Sequence, residues 1–223
     1  PPRSTLFPYT TLFRSGVTTV RFADMNGNGS TDIVWNDPDQ GIFLRYLDLN
    51  PGTKPNVMTR MANGMGRLLD IEYRTSTDYM LDAAGTSNAW TLIPPFPIPV
   101  VSAFTERDGL GSTYRTEITY RNGYYDALER EFRGFETAIR TDVGNDSQSA
   151  PSLLTEYRFD TGALIESLKG KPLQVERRNV DGEMFDRVST VWTNRELPLT
   201  LAANETRTDR KSTRLNSSHR IRT

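Results

Sequence analysis

Through most of this chain apolar or β-branched residues alternate with polar ones at a period of two, which restricts the fold more than any other feature. In LLDIEY the side chains of Leu69, Ile71 and Tyr73 share one face; in TYRTEITY those of Tyr114, Thr116, Ile118 and Tyr120 do. That period belongs to strands with two unlike faces. PLQVERR and MFDRVSTVW flank NVDGE, whose Asp181-Gly182 pair predicts a hairpin. From Thr18 the order is TTVRF, the polar loop ADMNGNGSTD, IVWN, a DPDQG turn and IFLRYLDL, which reads as strand, loop, strand, strand. Pro51 and Pro55, with Asn50 and Gly52, mark a boundary, because prolines this close do not sit inside a central strand. WTLIPPFPIPVVSAF, residues 90–104, carries Pro94, Pro95, Pro97 and Pro99 and predicts an extended edge or crossover segment. One short helix is predicted, around residues 163–169. The fold class is all-β.

The two ends do not belong to this pattern. The codons of a common short-read sequencing adapter encode residues 1–15 without a mismatch, and those of its partner encode DRKSTRLNSSH, residues 209–219. Residues 1–15 and 209–223 are therefore read as adapter-derived, expected to be disordered or loosely packed, and set aside. The segment between them has no initiator Met and reads as a piece of a longer frame. Removing seven basic residues and one acidic residue from 27 and 28 leaves 20 against 27, a net charge of −7. Such a balance argues against nucleic acid as a partner. The only histidine is His219, in the adapter-coded tail, and there is no cysteine. His-dependent triads, Cys nucleophiles and structural zinc sites are thereby excluded from the segment. No apolar run approaches 18 residues, so no transmembrane segment is predicted.

The strongest chemical motif is Asp24-x-Asn26-x-Asn28-Gly29-x-x-Asp32. Oxygen side chains at positions 1, 3 and 5 of a tight loop, with Gly29 for the turn and the Ser30 carbonyl beside it, suit Ca²⁺, a cation that takes six to eight oxygens. The predicted metal residues are Asp24, Asn26, Asn28, Ser30 and Asp32. An EF-hand requires a bidentate Glu at position 12, where Trp35 stands, so the loop is a strand–loop–strand type. With two carboxylates the expected affinity is weak, on the order of 10⁻⁴ to 10⁻³ M, and the role structural. An Asn/Gly-rich hairpin turn that binds nothing uses the same residues.

At this loop the chain resembles an FG-GAP type repeat, whose members build β-propeller blades around such a calcium loop. GMGRLLDIEYRTSTDY, residues 64–79, and YRNGYYDALEREFRGFE, residues 120–136, resemble the middle region of the Tc-toxin B component and the related SpvB amino-terminal region. KPNVMTRMANGMG, PFPIPVV and LKGKPLQVERRNVDG extend the likeness in the same order, over about residues 18–190. The resemblance implies one β-propeller-type blade at 16–56 followed, at 57–208, by antiparallel β-sheet segments of an Rhs-like shell. It implies a secreted, extracellular bacterial toxin complex, with a pore-forming A component and an Rhs-repeat C component as partners and a cytotoxic cargo held in the shell. On that reading this piece has no catalytic residue.

Two other readings stay open on the residues alone. A calcium-binding propeller fragment of a bacterial surface adhesin shares the first half, although an adhesin has no reason to carry EREFRGF. Thr75-Ser76-Thr77 with Glu129-x-Glu131 distantly resembles the serine and E-x-E elements of arginine-directed ADP-ribosyltransferases, with the serine element inverted. The plainer expectation for Glu129, Arg130, Glu131 and Arg133 is a charged strand face with cross-strand pairs. Tyr124, Tyr125, Phe132 and Phe135 are expected to pack rather than to stack on a ligand.

Overall fold

A computed structural model describes residues 20–37, 42–52, 54–144 and 151–196, and the backbone of 214–222. Three antiparallel strands, β1 (Val20–Ala23), β2 (Asp32–Asp37) and β3 (Ile42–Leu47), form a first sheet in the order β1-β2-β3. Trp35 pairs with Val20 on one side and Arg45 on the other. The loop ADMNGNGSTD thus closes the β1–β2 hairpin. The DPDQG turn falls largely on residues 38–41, outside the described residues.

The remaining strands are β4 (Arg60–Ala62), β5 (Leu68–Thr75), β6 (Pro99–Arg107), β7 (Thr113–Asp126), β8 (Glu131–Asp142), β9 (Leu153–Asp160), β10 (Lys171–Asn179), β11 (Met184–Glu196) and β12 (Arg214–Arg222). They make one nine-stranded sheet in which every strand lies beside its sequence neighbour. All pairings are antiparallel. No crossover is needed, because every strand pairs with its neighbour in sequence. NVDGE turns as expected: Gly182 has φ of 90°, and the Asn179 carbonyl accepts from Gly182 N at 3.2 Å. The proline segment divides at Pro99. Residues 91–98 are irregular, and β6 begins at Pro99, the position of a strand where a missing N–H is tolerated.

The helix lies elsewhere than the sequence reading placed it. Residues 163–169 hold a single 3₁₀ turn, Glu166–Leu168, whereas α1 spans Ser76–Ala83. Its start is a capping box: Thr75 Oγ1 accepts from Asp78 N at 3.2 Å, and Asp78 Oδ2 accepts from Thr75 N at 2.9 Å. Tyr79 fixes the helix to the sheet, its hydroxyl donating to Ile118 O at 2.7 Å and its ring lying edge-on to Tyr120. Burial pushes the Tyr79 phenol up to about 12.

The C-terminal tail also departs from expectation. Residues 214–222 run antiparallel to β11, in register from Val188↔Arg222 to Glu196↔Arg214. An open sheet edge presents a row of unpaired N–H and C=O groups and templates an added strand through backbone bonds, without reading its side chains. The buried apolar residues are few: Val34, Tyr79, Trp90, Ala103 and Val188 among those described. Among the described residues, α1 and the segment after it are what covers the large sheet.

Candidate metal centre and the clamp at the second motif

Four of the five residues predicted to bind metal lie in the β1–β2 loop and the fifth, Asp32, opens β2, and side-chain oxygens staple the loop together. Asp24 Oδ1 accepts from Gly27 N at 2.7 Å and Asn28 N at 3.2 Å, and its Oδ2 from Gly29 N at 2.7 Å. Asn26 Oδ1 accepts from Asn28 N, and Asn28 Oδ1 from Ser30 N. Asp32 reaches back across the loop, its Oδ2 accepting from Met25 N at 2.9 Å. Gly27 and Gly29 have φ of 74° and 81°, as such a reversal requires. A Cβ at Gly27 would stand 3.0 Å from Thr77 Cγ2, so the loop rests directly on the first turn of α1.

Asp32 is wholly buried, yet Oδ1 has no hydrogen-bond partner, and neither has the buried Ser30 Oγ. A buried carboxylate oxygen without donor or cation is costly, so these orphan oxygens fit a bound hard cation. Among the described residues no three acidic, His or Cys side chains cluster as a metal site, so the cage would rest on two carboxylates and neutral oxygens. The sequence reading missed a supporting layer. Asn26 Nδ2 donates to Asp48 Oδ2 at 2.6 Å and Asn28 Nδ2 to Asn50 O at 3.2 Å. Both partners follow β3, and no spacing rule within the nonamer points to them.

The second motif forms the tip of the β7–β8 hairpin. Asp126 Oδ1 accepts from Leu128 N and Glu129 N, and Arg130 takes φ of 53° to close the turn. The backbone N–H of Glu129, then that of Leu128 and the Arg133 charge, hold the Asp126 carboxyl below its ordinary range. Arg133 is buried. Its Nη2 lies 2.9 Å from Asp126 Oδ2, and its Nη1 donates to Gly162 O at 2.8 Å, tying the hairpin to the β9–β10 connection. Lys169 Nζ bridges both oxygens of Glu131 at 2.8 and 2.7 Å. The aromatics pack on one another: Phe132 on Phe135, Phe135 on Trp90, and Tyr125 on Phe96. Gly123 leaves room for this, since a Cβ there would stand 3.2 to 3.3 Å from Phe135, Phe132 and Pro94.

Three residues of the transferase-like reading have other partners. Thr75 caps α1, the buried Ser76 Oγ accepts from Ile98 N at 3.0 Å, and Glu131 is held by Lys169. These contacts fix the start of α1, the backbone at Ile98 and the β7–β8 hairpin tip.

An all-β chain built as one long antiparallel meander beside a small three-stranded unit defines the class, and the comparisons supply the family. The family model of the insecticide toxin TcdB middle/N-terminal region matches residues 3–162, and the chain belongs to that family. The match overlaps the first residues assigned above to an adapter. Among solved structures, the crystal structure of TcdB2-TccC3-Cdc42 matches with a TM-score of 0.70 at 21% identity, over 93% of this chain and 12% of that one. That of TcdB2-TccC3 gives 0.69 at 21%, over 91% and 12%. The Photorhabdus luminescens Tc holotoxin pore, with a substitution in TccC3, gives 0.70 at 21%, over 92% and 12%. At this identity they show the fold, and the chain spans about 12% of their length. No curated protein matches the sequence.

Proposed function

We propose that the chain is a non-catalytic wall segment of a secreted bacterial toxin-complex B component. The observation that carries this is the long antiparallel run β4 to β11, covered among the described residues only by α1 and the segment after it, in a chain with five buried apolar residues among those described. A domain that folds for itself buries its sheet against another layer. A sheet left bare is suited to a larger body that closes around it. On this reading residues 57–208 belong to a hollow shell completed by an Rhs-repeat C component and enclosing a cytotoxic cargo. The related structures in which TcdB2 is joined to TccC3, and the holotoxin pore, support those partners.

Residues 16–56 then form an FG-GAP type blade of a propeller that docks on a pore-forming A component. The exposed Phe22, Leu44, Tyr46 and Leu47 support it, since a blade covers such residues with its neighbours. Asp24, Asn26, Asn28, Ser30 and Asp32 hold a structural Ca²⁺, which supplies charge compensation for the buried Asp32 oxygen. The site of action is extracellular. The test is to express the complete reading frame with an Rhs-repeat C component and measure co-elution and protease resistance of the cargo. Co-elution with a protected cargo is expected; separate elution, or a cargo digested as fast as when free, contradicts the reading.

A further inference from the structure

A cavity of about 520 Å³ opens between α1, the segment after it and the large sheet. Its walls carry three guanidinium groups and two carboxylates: Arg74, Arg121 and Arg178 with Asp82 and Glu156. Both carboxylates are matched. Arg74 Nη2 lies 2.6 Å from Asp82 Oδ2 and Arg178 Nη2 2.9 Å from Glu156 Oε2. Arg121 is the remainder. Among the described residues its one hydrogen bond runs from Nη1 to the neutral Asn88 Oδ1 at 3.1 Å, and its Nε is buried without a partner. Directly across the ladder stands Thr137, 3% exposed, whose Oγ1 also has no partner. Trp90 and Tyr79, both buried, supply apolar wall.

A half-buried guanidinium whose Nε is buried without an acceptor and which has no counter-charge, beside an unsatisfied buried hydroxyl, is unfavourable in the chain alone. One negative charge would balance it. A guanidinium pairs best with a planar two-oxygen anion, and a cavity of this size with aromatic walls suits a ligand with an apolar body. We propose that this cavity binds a single carboxylate carried on an apolar or aromatic body, with Arg121 as its anchor, presenting the free Nη2 edge, and Thr137 beside it. A free small acid and an acidic side chain of a polypeptide present the same chemistry. The shape and charge of the cavity act on that shared group.

The test uses the full chain and the indole N–H resonance of Trp90, assigned by comparison with Trp90→Phe. The probes are 3-phenylpropionate, its neutral amide, and a short Glu-containing peptide with its Gln counterpart. Saturable shifts are expected for the acid or the Glu peptide and none for the neutral partners. Arg121→Gln should weaken binding roughly tenfold or more, the range of a lost charge-assisted hydrogen bond. Arg121→Lys should restore part of it, and Thr137→Val should weaken it a few-fold with an unchanged circular dichroism spectrum. Binding of the acid alone identifies a small-molecule source, and binding of the peptide alone a polypeptide; either supports the site. Absence of any shift, equal binding of acid and amide, or undiminished binding by Arg121→Gln would overturn it. If Arg121→Gln does not fold, the acid–amide comparison and Thr137→Val decide.

Discussion

Arg133→Met removes the charge that joins three parts of the large sheet while keeping most of the side-chain length. In the native chain Arg133 Nη2 meets Asp126 Oδ2 at 2.9 Å, and Nη1 meets Gly162 O at 2.8 Å. The Arg133 side chain is 4% exposed and that of Asp126 15%, so water cannot readily replace either bond. Breaking a buried pair by deleting one partner costs about 3–5 kcal/mol. Two features reduce the figure here. Asp126 retains the N–H groups of Leu128 and Glu129, and Arg133 Nε is already buried without a hydrogen bond, a penalty of about 1 kcal/mol that methionine relieves. The expected net loss is about 2–3 kcal/mol, a fall in Tm of roughly 4–12 °C for a chain this long. Thermal unfolding followed by circular dichroism measures it. Asp126→Leu, alone and combined with Arg133→Met, completes a double-mutant cycle whose coupling should exceed about 1 kcal/mol. A single-variant loss under about 1 kcal/mol with no coupling would refute the clamp.

Three further outcomes are expected. If calcium binds with a Kd on the order of 10⁻⁴ to 10⁻³ M, about 10 mM Ca²⁺ stabilises by roughly 1.4–2.7 kcal/mol; a Tm insensitive to both Ca²⁺ and chelator, or an equal rise in Asp32→Asn, would discard the site. Asp70 is depressed by hydrogen bonds from Arg60 and Arg107, Glu72 by one from Arg115, and Asp108 by backbone N–H groups, chiefly that of Leu110. Their contribution is complete above the unfolded carboxylate range, about pH 4, and is lost as pH falls through the lower folded values, so a Tm flat between pH 3 and pH 7 (on the order of those limits) would contradict the assignment. Tyr79, raised by burial to about 12, favours the folded state below the ordinary phenol range, and that contribution is lost as pH rises from about 10 toward 12; Tyr79→Phe should show a shallower alkaline decline, and an unchanged slope would count against it.

Strands and hairpins were legible because their signals are local: alternation in LLDIEY and TYRTEITY, and Asp181-Gly182 between two such runs. The calcium motif was legible as a loop for the same reason. The helix was misplaced because α1 has only eight residues and weak apolar periodicity. Its start was nevertheless written in Thr75-Ser76-Thr77-Asp78, an S/T-x-x-D/E pattern considered above for chemistry and not for capping. Asp48 and Asn50 support the loop from 22 residues beyond their partners Asn26 and Asn28, a relation set by strand pairing that no spacing displays. The tail strand β12 was beyond reach of side-chain patterning, since an open edge pairs through backbone groups. Arg133 was read as one member of a charged strand face. Only the fold, by bringing Gly162 over it, makes it a buried clamp.

Electron cryomicroscopy of the complete B component with its C component tests the central claim most directly. The account predicts that β4 to β11 lie in the wall of a closed shell, with a further natural strand paired along β11 and with β1 to β3 set among other blades of a propeller. Finding residues 60–196 outside any closed body, or finding no enclosed space at all, would contradict it.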